Sequence, residues 1–261
     1  MTGLFDPTVA HPARIYDYWL GGKDNYAADR EAAEQAIVAN PGILADVRAN
    51  RAFLARAVTY LAAECGIRQF LDIGTGLPTA SNTHEVAQSV APESRIVYVD
   101  NDPIVLLHAR ELLSSTPQGA TDYLDADLPD TSGILDQAAG TLDCTQPVAV
   151  MLLIVLHLIP DADDPAGIVA GLLGRLAPGS YLVISHPASD IRPAAMAEMT
   201  KRINERLGPA RGTMRDKAQI ARFFGGLELV EPGIVQPHQW RPAGAGPKED
   251  VTAWCGVARK P

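Results

Sequence analysis

The chain has 261 residues, 47% of them hydrophobic and 20% charged, which is ordinary globular usage and enough for a sizeable core. A formal charge of −9 argues against general binding to nucleic acid or an anionic membrane surface, because both need a positive field. No apolar run approaches the ~18 residues of a bilayer span, and Met1–Pro7 has neither the basic nor the apolar region of a secretory signal. Cys65, Cys144 and Cys255 lie far apart without CxxC spacing, which points to buried free thiols and a cytoplasmic setting.

Residues 1–13 read as loosely ordered. The next stretch, Arg14-Ile15-Tyr16-Asp17-Tyr18-Trp19-Leu20-Gly21-Gly22-Lys23-Asp24-Asn25-Tyr26, packs aromatics, both charge signs and a Gly-Gly pair into a short span. It reads as a strap: a lid hinged at Gly21-Gly22, with Tyr16, Tyr18 or Trp19 walling a pocket and Arg14 or Arg51 pairing a carboxylate. The bland alternative is that its aromatics pack on a sheet edge. Residues 29–38 are alanine-rich and helical, and 49–64 form a stronger helix with Phe53, Ala57, Tyr60 and Leu61 on one apolar face.

From there strands and helices alternate. Residues 68–73 form the first strand, which runs through Phe70-Leu71-Asp72-Ile73 into Gly74-Thr75-Gly76-Leu77-Pro78-Thr79. Glycines there can take positive φ and let a ligand lie on bare backbone. A helix over 82–90 follows, with Asn82 and Glu85 at capping-box spacing and an N-terminus attractive to carboxylates and phosphates. Residues 95–100 form a β-branched strand ending in Asp100, and 103–114 a helix with proline at its start. A short strand at 122–124 leads to Asp125-Ala126-Asp127-Leu128, then a helix at 134–139. The continuous apolar run 147–156 suits a central parallel strand covered on both faces. A helix at 165–176 and a strand at 181–185 complete the alternation, which implies a parallel sheet with right-handed crossovers. The rhythm then changes: helices at 190–207 and 216–224, then strands at 227–231 and 251–258 joined by a long loop, 232–250, that holds His238, Trp240 and Arg241 and a Pro/Gly-rich part expected to be mobile.

In open α/β sheets the ligand lies beyond the carboxyl ends of the strands. Three features fall there: the Gly74–Gly76 turn, Asp100 placed for a ribose diol, and Asp127 placed for the edge of an adenine. Singly each is weak, since glycine pairs turn chains everywhere and acids cap helices; together they point to a nucleotide-type ligand.

These residues resemble the motifs of the class I S-adenosylmethionine-dependent methyltransferases: Asp72-Ile73-Gly74-Thr75-Gly76, the strand-ending Asp100, Asp127-Leu128, and Leu156-His157-Leu158-Ile159-Pro160-Asp161 after an apolar strand. The wording Ala13-Arg14-Ile15-Tyr16-Asp17-Tyr18, Gly21-Gly22-Lys23-Asp24-Asn25 and Asn50-Arg51-Ala52-Phe53-Leu54 is similar to an actinobacterial methyltransferase family formerly catalogued as a domain of unknown function. The resemblance implies a Rossmann-like α/β fold: a seven-stranded, mostly parallel sheet with its last strand antiparallel and helices on both faces. A single domain is expected, with residues 1–64 as an N-terminal helical strap and a helical insertion at about 189–215. It implies S-adenosyl-L-methionine as cofactor, held by Asp72, Gly74, Thr75, Gly76, Asp100, Asn101, Asp127, Leu128, Arg14 and Tyr18.

Two departures stand out. Pro78 occupies a place where a third glycine is common, and the end of strand four is Leu152-Leu153-Ile154 where a polar residue is frequent. The expected activity is methyl transfer to a small-molecule acceptor, with His157 and Tyr16 as candidate proton acceptors. A nicotinamide-dependent oxidoreductase is the alternative enzyme reading, weakened by Thr79 at the last position of the glycine fingerprint. A catalytically silent cofactor-binding module is the third. His157 and His186 have plain turn or wall readings as well, and His84 stands where it can touch a ligand. No His/Cys/Asp grouping has metal-ligand spacing, so no metal is expected.

Overall fold

The computed structural model describes residues 6–261 except 80, 106, 108–114, 208–211, 243 and 245–249. Its centre is a seven-stranded sheet: β1 (Gln69–Ile73), β2 (Arg95–Asp100), β3 (Ala120–Asp125), β4 (Ala149–Leu153), β5 (Tyr181–Pro187), β6 (Glu228–Leu229) and β7 (Ala253–Arg259). The strand order is β3-β2-β1-β4-β5-β7-β6. β1 pairs in parallel with both β2 and β4, while β7 runs antiparallel to β5 and β6. The order therefore reverses between β1 and β4, and a crevice opens beyond their carboxyl ends.

Period-two alternation along these strands feeds two cores. Leu71, Ile73, Val97 and Val99 face one side, with α5 (Thr131–Ala138) and α6 (Pro165–Gly174) laid over them. Phe70, Ile96, Tyr98 and Met151 face the other, under α3 (Ile43–Ala63) and α4 (Thr83–Val90). The apolar run at β4 is buried at every position, as a doubly covered strand must be. α3 starts earlier than the sequence pattern suggests. Ile43 and Val47 extend its apolar stripe onto Met196 and Met199 of α7 (Pro193–Asn204).

The N-terminal segment is more ordered than expected. α1 (Pro12–Trp19) begins with His11 as N-cap and proline in its first turn, and α2 (Ala27–Ala39) follows. Gly21 takes φ +83°, and a Cβ on Gly22 would lie 1.8 Å from Asp17 Oδ1. The Asp17 carboxylate accepts from the Asp24 N–H and Asn25 Nδ2, so its side chain bridges the Gly-Gly turn between α1 and α2.

Other expectations need adjusting. The helix of 190–207 is α7, shorter at both ends, and 216–224 divides into α8 (Lys217–Ala221) and a 3-10 turn. The 232–250 loop carries Trp240 into the core, edge-on to Phe53 and Tyr60 at 5.4 and 5.7 Å, while most of its Pro/Gly-rich part, 243 and 245–249, lies outside the described residues. The helix expected over 103–114 is seen at 103–105 and 107, and the rest lies outside the described residues. The three cysteines are free, but only Cys255 is buried. Among the described residues no helix is long and apolar enough to cross a membrane.

Candidate active site

A cavity of about 560 Å³ fills the crevice, within the usual size range for small-ligand sites. Its floor is the turn after β1. Gly74 and Gly76 have φ of +72° and +67°, values that glycine adopts without strain. A Cβ on Gly74 would strike Val155 Cγ2 at 2.3 Å, whereas one on Gly76 would meet nothing within 4 Å. The turn is pinned to β2: the Gly74 N–H donates to Val99 O at 2.8 Å and the Gly76 N–H to Asp100 Oδ2 at 2.9 Å.

Asp100 is buried, and its other oxygen accepts the Asp102 N–H at 3.0 Å. Burial pushes its pKa up against these two bonds. A carboxylate has about four lone-pair sites, so acceptor capacity remains. Asp127 accepts from Asn101 Nδ2, and both residues line the cavity with Leu128.

Asp72 lines the cavity at the end of β1, although it is buried, and accepts from Thr83 Oγ1 at 2.6 Å. Burial raises its pKa to about 6, although the Thr83 bond and the charge of Arg51 pull the other way. The start of α4 does not serve the cavity as the sequence suggests. Its Asn82 N–H goes to Glu85 and its His84 N–H to the Tyr98 hydroxyl at 2.8 Å. The His84 ring also faces that hydroxyl and does not line the cavity.

The roof comes from α1 and α3. Tyr16 and Trp19 of α1, with Asn50, Arg51 and Leu54 of α3, line the cavity. Arg14 and Tyr18, expected there, point elsewhere. A helix turns successive side chains through about 100°, and these two fall on the face toward α2. Arg14 Nε bonds Asp29 at 3.0 Å and Tyr18 donates to Glu34 at 2.5 Å. Arg51 is the arginine that reaches the cavity, donating also to Ser81 O at 3.0 Å.

Asp102, which the sequence reading passed over, ties this roof to β2. His11 Nδ1 lies 2.9 Å and Arg14 Nη1 3.6 Å from its carboxylate. Burial raises the Asp102 pKa, but the His11 bond, the Ile104 N–H and the Arg14 charge outweigh it and hold the group below its ordinary value. Its place two residues after the strand-ending Asp100 was the available signal.

The far wall is the end of β4. Ile154 has φ +53°, a strained conformation for a β-branched residue. Its N–H donates to Ser185 O at 2.9 Å, and the chain then turns into the 3-10 segment Leu156–Leu158. His157 sits on that turn and lines the cavity, and its Nδ1 is sealed from water without a hydrogen-bond partner among the described residues. Burial, then the charge of Arg215, lower its pKa to about 4. Tyr16 is engaged instead: its hydroxyl accepts from Asn50 Nδ2 at 2.9 Å and donates to Val47 O at 3.3 Å. Desolvation raises its pKa. His186 is fully buried behind the turn and does not line the cavity.

A family model described as S-adenosyl methyltransferase matches residues 3–261. The chain belongs to that family. Among solved structures it is similar to a DUF574 family protein from Streptomyces avermitilis, with 49% identity, a TM-score of 0.94, and 98% of this chain and 99% of that one covered. A putative methyltransferase from Thermobifida fusca is 41% identical at TM-score 0.89, covering 97% of this chain and 96% of that one. The plantazolicin methyltransferase BpumL in complex with SAH shares the fold at 10% identity and TM-score 0.56, with 95% of each chain covered. No curated protein matches the sequence.

The protein is thus an S-adenosylmethionine-dependent methyltransferase, and the nicotinamide reading falls away. The residues of the methyltransferase's cavity fit that cofactor. Bare backbone at Gly74–Gly76, a buried acid with spare acceptor capacity and a cationic Arg51 converge on one space. Among the described residues no group of His, Cys, Asp or Glu could hold a metal ion.

Proposed function

We propose that the cavity over Gly74–Gly76 holds S-adenosylmethionine and that the methyl acceptor is a small molecule entering beside Ile154 and His157. The reading is supported chiefly by one observation: a single cavity joins the glycine turn and Asp100 to the strained turn bearing His157. In this assignment Asp100 accepts from the ribose, Asn101, Asp127 and Leu128 border the adenine, and Arg51 pairs the carboxylate. Asp72 and Thr75 shape the turn.

When bound, the cofactor supplies an electrophilic methyl group on a sulfonium. The protein contributes orientation and exclusion of water, the latter through α1 latched on Asp29 and Asp102. With the cofactor bound, the neutral imidazole of His157 would accept the hydrogen of the acceptor's hydroxyl or amine and so orient that heteroatom toward the cofactor. Tyr16 is a wall, since its hydroxyl is already committed.

Calorimetry with S-adenosylmethionine, S-adenosylhomocysteine and NAD tests the cofactor assignment. The first two bind and NAD does not; the reverse pattern overturns it. Asp100→Ala should weaken S-adenosylhomocysteine by several-fold to about a hundredfold, the loss of a charge-assisted bond of ~1.5–3 kcal/mol. Unchanged affinity removes Asp100 from the ribose.

A further inference from the structure

A second cavity of about 90 Å³ lies against the first, and Tyr16, Trp19, Asn50, Ile154 and His157 line both. Its walls are apolar. Ile43 and Val47 come from α3, Met196 and Met199 from α7, and Met214 from the segment after it. Methionines have three flexible torsions, so such a wall adjusts to its contents.

Apart from His157, the polar side chains that line this space are already hydrogen-bonded. Asn50 Nδ2 donates to Tyr16, and Asn50 Oδ1 accepts from Ser185 Oγ at 2.6 Å. Asp46 accepts from the Thr252 N–H and hydroxyl and from Asn40, with Arg192 at 3.5 Å. Among the described lining residues, Asp46 is the one charged group and no side chain carries a positive charge. Among the described lining residues only His157 has a polar atom, Nδ1, that is sealed from water and unpartnered. A charged ligand group here would be desolvated without compensation.

We propose that this pocket receives the non-reacting end of the methyl acceptor: an uncharged apolar group between a branched alkyl and one aromatic ring in size, with the acceptor's hydroxyl or amine hydrogen donated to His157. An apolar cavity of roughly 150 Å³ holds benzene, so a 90 Å³ pocket takes a ring only as its methionines yield. The proposal rests on the larger cavity being the cofactor site. It adds that the acceptor is selected by size and neutrality on the far side of Ile154.

Ligand-observed NMR titrations on the full chain, with and without saturating S-adenosylhomocysteine, test it with phenol, toluene, benzoate and protonated benzylamine as probes. Phenol should bind at least tenfold more tightly than either charged probe. Thr200→Phe fills a half-buried position that lines only the smaller pocket. It should weaken phenol at least tenfold while S-adenosylhomocysteine stays within twofold. His157→Phe should erase phenol's advantage over toluene. A charged probe matching phenol, no phenol binding to either form, or unchanged phenol affinity in folded Thr200→Phe overturns the proposal. The charge comparison uses unaltered protein and stands even if a variant misfolds. Failure of S-adenosylhomocysteine to bind is read separately: it removes the cofactor assignment, while the titrations without it still decide the pocket.

Discussion

Arg215 Nη1 lies 2.9 Å from His186 Nε2, and since a guanidinium only donates, that imidazole nitrogen must accept. His186 Nδ1, 2.8 Å from Pro187 O, therefore carries the proton. The same buried guanidinium donates to Leu156 O at 3.0 Å and Ile159 O at 2.8 Å and pairs with Asp161. It thus clamps both ends of the turn bearing His157 onto β5. Arg215→Ala removes this donor from three buried or half-buried acceptors, Leu156 O, Ile159 O and His186 Nε2, besides the exposed Asp161, at ~1–3 kcal/mol for each left unpaired. A loss of at least about 3 kcal/mol in urea unfolding is expected. Arg215→Lys should lose less but still be measurable, because one ammonium cannot span all three acceptors. Near-neutral unfolding of both variants would show that the turn is held by other contacts.

The same geometry sets a pH dependence. Burial lowers the His186 pKa to about 3, with the neighbouring His157 adding to the effect, and His157 is lowered to about 4. Both lie below the unfolded value near 6.5, so the native state binds fewer protons and stability is lost as pH falls below that value. Going from pH 7 to pH 5 should cost about 2 kcal/mol at His186 and less at the half-buried His157. The imidazole resonances of both should stay untitrated down to pH 5. A midpoint near 6.5 for His186 would mean its Nε2 is not engaged by Arg215.

Asp72 pulls in the opposite direction. Its folded pKa of about 6 exceeds the ordinary carboxylate value, so its contribution is full below about pH 4 and is lost as pH rises through 6. Asp72→Asn keeps an oxygen for the Thr83 hydroxyl and removes the buried charge. The stability difference between wild type and variant should shift toward the variant by about 2–3 kcal/mol between pH 4 and pH 7. Denaturant melts at three pH values measure it. A constant difference across that range rules out a strained carboxylate at Asp72.

Much of this was legible in the sequence because it depends on short-range signals. The glycine turn, the strand-ending Asp100 and the Asn82–Glu85 capping box are local, and each sits where its spacing puts it. What failed were inferences about where side chains of a helix point and what they meet across the fold. Arg14 and Arg51 look equivalent as free cations, yet the rotation of α1 turns one onto Asp29 while α3 presents the other to the cavity. Gly21-Gly22 carries the signature of flexibility, while the Asp17 side chain packs against Gly22 and bonds the Asp24 N–H, a contact no periodicity encodes. Arg215 gave no signal, since three of its partners sit in the turn 156–161 and the fourth is His186 on β5, all far from it in sequence.

The two glycines of the turn make the sharpest test, because they share a backbone conformation and differ in surroundings. Both have positive φ, so alanine at either costs ~1–2 kcal/mol for the left-handed region alone. At position 74 the added methyl also collides with Val155, a buried residue in the wall of the site. Gly74→Ala should therefore lose about 3 kcal/mol or more in unfolding, with the methyl overlap added to the backbone cost. At position 76 the methyl meets no atom of the described residues within 4 Å, so Gly76→Ala should lose only the backbone part. Its methyl instead occupies ligand space, and S-adenosylhomocysteine affinity should fall at least tenfold in a protein that melts close to wild type. Paired melts and calorimetry separate the outcomes. If Gly76→Ala binds as wild type does, the cofactor does not lie against residue 76, and the floor of the site must be redrawn toward Asp127.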